Sequence, residues 1–214
     1  MKPATHPPSR HLLAHATGSA DVPTRLLVET HLGFCPHCTR EVGRFTAPGA
    51  TILEATPAAP LEERSFERLW ERVSRLEPPW GEEEVPLPRA LLVELPPPRL
   101  WHWHSLLSEG CRMARLLREE SSGSTLYVVH LGPGSHFPSH QHHGAEDTLV
   151  IAGAVWDGET YLRAGDWNSA EAGTHHTLTA APVEGCWALA RETGDVQLSG
   201  WRGALQWAAS RLTH

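Results

Sequence analysis

The sequence lacks any apolar run that approaches the roughly 20 residues needed to span a bilayer. It also lacks a basic segment followed by an apolar one within its first 30 residues. We therefore expect neither a membrane span nor a signal peptide. Positive charge is not in excess, because 18 lysines and arginines face 25 aspartates and glutamates, a net charge of -7. That balance argues against direct binding of nucleic acid by the chain as a whole.

Cysteine is also scarce, with four residues in a chain of 214. Without an export signal, these cysteines predict a reducing, cytoplasmic compartment, where thiols bind metals more often than they form disulfides. Histidine is abundant by contrast: there are 15, concentrated near residues 6–37 and 130–176. This distribution indicates two separate sites.

One segment of the chain carries the spacing of a metal site. It reads Gly134, five residues, His140, one residue, His142, three residues, Glu146, six residues and Gly153. Histidines two apart lie on the same face of an extended strand. The carboxylate four residues further on can close on the same centre.

A second segment supplies a further imidazole. It reads Gly165, five residues, Glu171, one residue, Gly173, two residues and His176. Three neutral imidazoles and one carboxylate form a mixed nitrogen and oxygen site that suits zinc, iron, manganese or nickel. The sequence therefore predicts a metal site formed by four residues: His140, His142, Glu146 and His176.

These two segments resemble the two cupin motifs. The first agrees at every fixed position, whereas the second has Glu171 in place of a proline and Ala180 in place of an asparagine. Neither replaced residue is a ligand. The resemblance implies a cupin barrel, a double-stranded β-helix or jelly roll, that holds zinc or another divalent transition metal.

Strand-like runs follow one another from about residue 100 onward, separated by turn signals. Short strands at even spacing predict a sandwich or a barrel. Cys111 and Cys186 lie on two of these strands, and we expect both to be small buried hydrophobic side chains. The runs are Cys111 to Leu117, Thr125 to Leu131, Thr148 to Ile151, Ala154 to Tyr161 and Cys186 to Ala190.

The first 45 residues have the pattern of helices. Ser9 is expected to cap a first helix, and Asp21 with Pro23 to begin a second. Pro36 fits the first turn of a third helix, which Pro48 is expected to bend or end.

A second ligand cluster lies where the second helix gives way to the third: His31, Cys35 and Cys38. Two thiols three apart at the positive end of a helix, with an imidazole four residues earlier, can meet one tetrahedral ion. The alternatives are two unligated buried cysteines, or a redox pair, which needs a βαβ setting that is absent here. A fourth ligand must come from elsewhere, and the candidates are His6, His11 and His15.

The spacing of His31, Cys35 and Cys38 resembles that of zinc-binding anti-sigma domains. With a cupin behind it, the whole chain resembles the ChrR-type anti-sigma factors. In that family a histidine before the first helix completes the zinc site, which implies His6 here. The resemblance also implies that the helix after the zinc site helps to grip the sigma factor.

Residues 61–76 predict that amphipathic helix. Its apolar residues recur at helical spacing on one face, and proline-rich segments flank it on both sides. The stripe either packs on the rest of the helical domain or docks in a groove of a partner protein. The proposed sigma-binding stripe consists of Phe66, Leu69, Trp70, Val73 and Leu76.

We therefore predict a multi-domain α plus β fold. A small all-α zinc-binding domain would occupy residues 1–80 and a Pro-rich linker residues 81–99. A cupin barrel would follow over residues 100–198, with a C-terminal extension over residues 199–214.

The resemblance implies a regulator and not an enzyme. The zinc-bound domain would bind an extracytoplasmic-function sigma factor, and the barrel would respond to a signal, which we expect to be oxidative. One alternative is a metal-dependent cupin enzyme such as a dioxygenase; another is a cupin that binds a small molecule without catalysis. The cysteine cluster and the isolated helix favour the regulator, because a small dioxygenase has no need of them.

Overall fold

The computed structural model describes residues 2–75, 85–105, 108–194 and 196–198. The predicted stripe residue Leu76, the first four residues of the predicted linker (81–84) and the predicted C-terminal extension lie outside the described residues. Within the part of the chain that is described, no helix is long and apolar enough to cross a membrane.

Helices occupy the N-terminal part of the molecule. Their bounds are α1 (Ser9–Ala16), α2 (Val22–Leu32), α3 (Pro36–Ala55), α4 (Ser65–Ser74) and the short α5 (Arg89–Leu92), before a 3-10 turn at Pro98–Leu100. The start of α2 has the predicted capping chemistry, because Asp21 Oδ1 accepts the N–H of Thr24 at 2.7 Å and Pro23 lies in the first turn.

Two helix boundaries differ from expectation. Pro8 is the residue that precedes α1, so Ser9 is its first helical residue and makes no capping bond. Helix α3 also continues through Pro48. The part of α3 from residue 46 onward is exposed, so water can bond to the carbonyl that the proline leaves without a partner.

Ten strands of the described chain form a curled antiparallel sheet in the order β1-β2-β3-β9-β5-β8-β4-β10, with β6 and β7 also paired to β5. Their bounds are β1 (Trp103–Ser105), β2 (Cys111–Glu119), β3 (Ser124–Leu131), β4 (His136–His142), β5 (Glu146–Asp157), β6 (Thr160–Arg163), β7 (Trp167–Ala170), β8 (His175–Ala180), β9 (Cys186–Glu192) and β10 (Val196–Leu198).

Strand β5 joins the two halves of the barrel. Its first half pairs with β7 and β9, and its second half pairs with β6 and β8. The sequence predicts two strands here, but β5 runs on through Gly153. That residue has φ 68°, and a Cβ atom on it would lie 2.2 Å from the carbonyl oxygen of Gly185. Glycine therefore lets the strand bend without ending.

The curled sheet has an inner and an outer face. Cys111 and Cys186 are each 2% exposed within the inner cluster, which confirms their prediction as buried hydrophobic side chains. Neighbouring residues of one strand, such as Val128 and Val129, belong to the outer and inner clusters respectively. The helices cover the outer face, while the inner face lines the barrel.

The helices and the barrel share one hydrophobic core. Leu26, Leu27 and Val28 of α2 are completely buried and lie in the same cluster as Leu149 and Leu189 of the outer sheet face. The described part of the predicted linker contributes to the same core through four buried leucines: Leu87, Leu91, Leu92 and Leu95.

A polar contact fixes the start of α2 on the sheet. Asp21 Oδ2 accepts hydrogen bonds from Ser124 Oγ at 2.7 Å and from Arg191 Nη2 at 2.9 Å. Burial alone would raise the pKa of Asp21, but the bonds from Thr24, Ser124 and Arg191 lower it. The carboxylate therefore stays ionised opposite a guanidinium that is itself largely buried.

The shared core predicts joint unfolding of helices and barrel. Leu26→Ala should lower the free energy of unfolding by about 2–5 kcal/mol, because it leaves a cavity between them. Far-ultraviolet circular dichroism, which reports on the helices, and near-ultraviolet circular dichroism, which reports on aromatic packing, should give the same lowered midpoint of unfolding. Leu61→Ala is the control, since Leu61 is 87% exposed and should leave stability unchanged. Two well-separated transitions in Leu26→Ala would contradict a continuous core.

Two candidate metal centres and an exposed apolar helix

The predicted barrel residues come together inside the barrel. His140 and His142 lie on β4, Glu146 begins β5 and His176 lies on β8, where His176 pairs directly with His140. One possible ligand atom from each of the four lies within 4.8 Å of the others. The alternation of side chains along β4 places both of its histidines inward.

The Nε2 atoms of the three imidazoles converge on one point inside the barrel. The Nε2 atoms of His140, His142 and His176 are 2.9–3.1 Å from one another, and Glu146 Oε2 is 2.8 Å from Nε2 of His142. Such separations are expected between donors that each lie about 2.0–2.1 Å from one ion. The arrangement therefore fits a bound metal cation.

Other side chains and one carbonyl orient these ligands. His140 Nδ1 donates to the carbonyl of Pro138 at 2.8 Å, and His176 Nδ1 lies 3.1 Å from the carboxylate of Asp157. Both contacts place the proton on Nδ1 and leave Nε2 free to bind a cation. Asp157 is not identifiable from the sequence, because it lies 19 residues before His176 and in no motif position.

The electrostatics of this centre also suit a cation. Burial lowers the pKa of His140 to about 4, which keeps that ring neutral. Burial opposes ionisation of Glu146, yet the hydrogen bond from His142 lowers its pKa. Burial would likewise lower the pKa of His176, but Asp157 raises it. The neutral ring of His140 and the ionised carboxylate of Glu146 have the protonation states that bind divalent metals.

A small apolar cavity borders the barrel centre. Its volume is about 30 Å³, which is space for about two water-sized molecules. The walls are mainly aliphatic and aromatic: Met113, Val129, Leu131, Phe137, Val155, Leu178, Cys186, Ala188 and Ala190, with His140, Glu146, Thr148 and Glu192 as the polar neighbours.

The second cluster lies where α2 meets α3. Cys35 is the N-cap of α3, Cys38 lies in its first turn, and His31 is in the last turn of α2. His6 approaches from the segment before α1, with Nδ1 3.4 Å from Sγ of Cys35 and 3.5 Å from Sγ of Cys38. One possible ligand atom from each of the four lies within 4.8 Å of the others.

The other candidates for the fourth ligand lie elsewhere. His11 Nε2 is 3.1 Å from the carboxylate of Asp147, and His15 Nδ1 is 4.0 Å from that of Glu29. The structure therefore brings His6 to the cluster, and neither of the other two histidines.

The chemistry of this cluster calls for a cation. Among the described residues, no hydrogen-bond partner reaches the buried Nε2 atom of His31. Burial lowers the pKa of His31 to about 4, and burial together with Cys35 raises the pKa of Cys38 to about 12. A dication would supply the charge that the thiolates need and a partner for the orphaned nitrogen.

The apolar stripe on α4 faces solvent. Phe66, Leu69, Trp70 and Val73 are between 47% and 71% exposed, and no residue of α4 is buried. The rings of Phe66 and Trp70 stack with their centres 6.3 Å apart. The stripe therefore does not pack on the described part of its own chain, which was one of the two possibilities.

Comparisons with known proteins match both halves of the chain. A family described as the ChrR cupin-like domain matches residues 98–196. The anti-sigma-E factor ChrR of Cereibacter sphaeroides is 30% identical over 184 residues, which are 84% of this chain and 84% of that protein.

One solved structure gives the same result for the fold. The crystal structure of Rhodobacter sphaeroides SigE in complex with the anti-sigma ChrR matches with a TM-score of 0.66 and 28% identity, over 89% of this chain and 100% of that chain. An acetylacetone dioxygenase from Acinetobacter johnsonii matches more weakly, with a TM-score of 0.44 and 20% identity over 57% of this chain and 81% of that one. The predicted helical domain followed by a cupin barrel is confirmed.

The two clusters predict two bound metal ions per chain. Cys35→Ser should lose one ion and Glu146→Ala the other, because each removes a ligand from only one cluster. Elemental analysis after a mild chelator wash gives the count. Cys111→Ser is the matched control: its thiol is equally buried but lies outside both clusters. A single ion that is lost only from Glu146→Ala would exclude the cysteine cluster as a metal site.

Proposed function

This chain belongs to the ChrR family of anti-sigma factors, and on that premise we propose that it binds and sequesters an extracytoplasmic-function sigma factor. The observation that carries the proposal is the likeness to a relative solved in complex with SigE, which extends over the whole of that relative. The site of sequestration would be the helical domain, and the site of action the cytoplasm.

The exposed stripe on α4 supplies a surface for the sigma factor. Two stacked aromatic rings beside Leu69 and Val73 have the composition of interface hot spots, which are enriched in tryptophan and aromatic anchors. An amphipathic helix of this kind docks by its apolar face into a groove of the partner. Leu76, which the sequence places on the same stripe, belongs to the proposed surface.

Zinc is the ion that we assign to the helical centre. Two sulfur and two nitrogen donors, from His6, His31, Cys35 and Cys38, are typical of tetrahedral structural zinc sites. Bound there, zinc would supply the charge that keeps the thiolates ionised. The four residues would then hold the segment before α1 against the junction of α2 and α3.

The barrel centre is the proposed sensor. His140, His142, Glu146 and His176 would hold zinc or another divalent transition metal, with Asp157 keeping His176 in the binding tautomer. The adjoining cavity admits only a small species. We propose that the signal is oxidative and acts at this centre to release the sigma factor.

The enzyme alternative has less support. The cavity of about 30 Å³ is far below the roughly 300–1,000 Å³ typical of sites for organic ligands. A relative that matches 84% of the chain is an anti-sigma factor, which is a regulator. We therefore assign no catalytic residues.

Sigma-factor binding should depend on the α4 stripe. A pull-down from native cell extract with the tagged chain should recover an extracytoplasmic-function sigma factor, and calorimetry then gives its affinity. Trp70→Ala should weaken binding by about 30-fold or more, as loss of a buried aromatic anchor does. The matched control is Glu71→Ala, since Glu71 is exposed on the polar side of the same helix. Equal affinities of Trp70→Ala and wild type would count against α4 as the docking surface.

Sensing should be separable from binding. Glu146→Gln removes a charged ligand from the barrel centre without touching α4, so sigma affinity should stay near wild type while the response to oxidant is lost. Transcription from a sigma-dependent reporter, with and without oxidative challenge, measures both properties. Glu171→Gln is the control, because this exposed residue of the second motif lies outside both clusters. A normal response in Glu146→Gln would remove the barrel centre from the signalling step.

A further inference from the structure

The turn of residues 164–166, between β6 and β7 of the barrel, contacts the cluster of His6, His31, Cys35 and Cys38. The Nδ1–H of His31 donates to the carbonyl oxygen of Gly165 at 2.8 Å, in a contact that is wholly buried. Because the acceptor is a carbonyl, the proton must lie on Nδ1. The lone pair of Nε2 therefore points into the cluster.

The same turn holds the chain next to His6. The carboxylate of Asp166 accepts the N–H groups of Ala4 and Thr5, the second at 3.2 Å. The next residue along, Trp167, donates its backbone N–H to Thr5 Oγ1 at 2.9 Å. His6 follows directly, so its position depends on bonds to the barrel.

Close packing makes glycine necessary at position 165. Gly165 has φ 93°, and a Cβ atom there would lie 2.8 Å from Cβ of Phe34 and 2.8 Å from Cγ of Pro3. Phe34 precedes Cys35 directly. The turn thus contacts the segments that carry three of the four cluster residues.

The turn is also connected to the barrel centre. Gly165 is the first glycine of the second cupin motif, which also contains the barrel ligand His176. The indole of Trp167 packs edge-on against His31 at 6.1 Å and donates Nε1–H to Asp147 at 3.2 Å. Asp147 is the neighbour of Glu146 on β5, with its side chain on the outer face.

We propose that the turn at Gly165 and Asp166, with Trp167, is a positioning element for the helical metal centre. It orients His31 through the Gly165 carbonyl and His6 through the bonds to Ala4 and Thr5. The metal affinity of the helical centre then depends on the barrel, although the barrel contributes no ligand to it. This inference rests on the proposal that the cysteine cluster binds a metal.

Cobalt(II) titration of the full chain tests the proposal. Thiolate-to-cobalt charge-transfer absorption arises only where sulfur binds the ion, so it reports on Cys35 and Cys38 and is silent for the barrel ligands. Gly165→Ala should raise the dissociation constant of this site by about 10- to 100-fold, the usual effect of disturbing the residues behind a ligand. Gly173→Ala is the strain-matched control: Gly173 has φ 89° but no atom within 4 Å of the added methyl.

A second pair of variants avoids any strain in the barrel. Thr5→Val keeps the shape of the side chain but removes the acceptor for Trp167 N–H, and it should weaken cobalt binding about tenfold. Thr5→Ser keeps the hydroxyl and should restore the wild-type constant. If Gly165→Ala does not fold, the comparison of Thr5→Val with Thr5→Ser tests the positioning role of the turn.

Three results would contradict the proposal or its premise. A folded Gly165→Ala with the wild-type constant and absorption spectrum would overturn it, as would a Thr5→Val that binds cobalt like Thr5→Ser. Absence of charge-transfer absorption in the wild-type chain would overturn the metal centre itself together with this proposal. Normal wild-type binding with unaffected variants would leave the metal centre standing and remove only the positioning element.

Discussion

The burial of α2 against the outer face of the barrel sheet is the contact on which the rest of the molecule depends. Leu26, Leu27 and Val28 lose all contact with water there, and the paired charges of Asp21 and Arg191 fix where the helix begins. Since α2 ends in the cysteine cluster, its seating on the sheet also determines where that cluster lies. A helical unit of this size has little apolar surface of its own to bury, so the sheet serves as its second layer.

Most ligands of both candidate metal centres could be predicted from their spacing in the sequence. Histidines two apart on a strand, and cysteines at the start of a helix, are brought together by the period of the backbone itself, so spacing alone suffices to identify them. Asp157 and the carbonyl of Gly165 could not be found this way. Each reaches its histidine across a large separation in sequence, and a backbone carbonyl leaves no trace in residue identity. The docking of helices on the sheet was missed for the same reason.

The start of β5 shows how one strand can contact both the barrel centre and the helices. Glu146 points into the barrel towards His142, while Asp147 points outward to His11 and Arg191. Because successive side chains alternate between faces, a change in the path of this strand moves both residues at once. The peptide bond between Glu146 and Asp147 therefore links the interior of the barrel to His11 of α1.

The solvent-facing stripe on α4 bears on how long a copy of the chain persists in the cell. Stacked aromatic rings left open to water invite self-association, and they are the kind of surface that chaperones and proteases recognise. We expect copies made in excess of their partner to be removed faster than those in a complex. The abundance of the partner would then determine the steady-state level of this protein. No separate control of its synthesis would be needed.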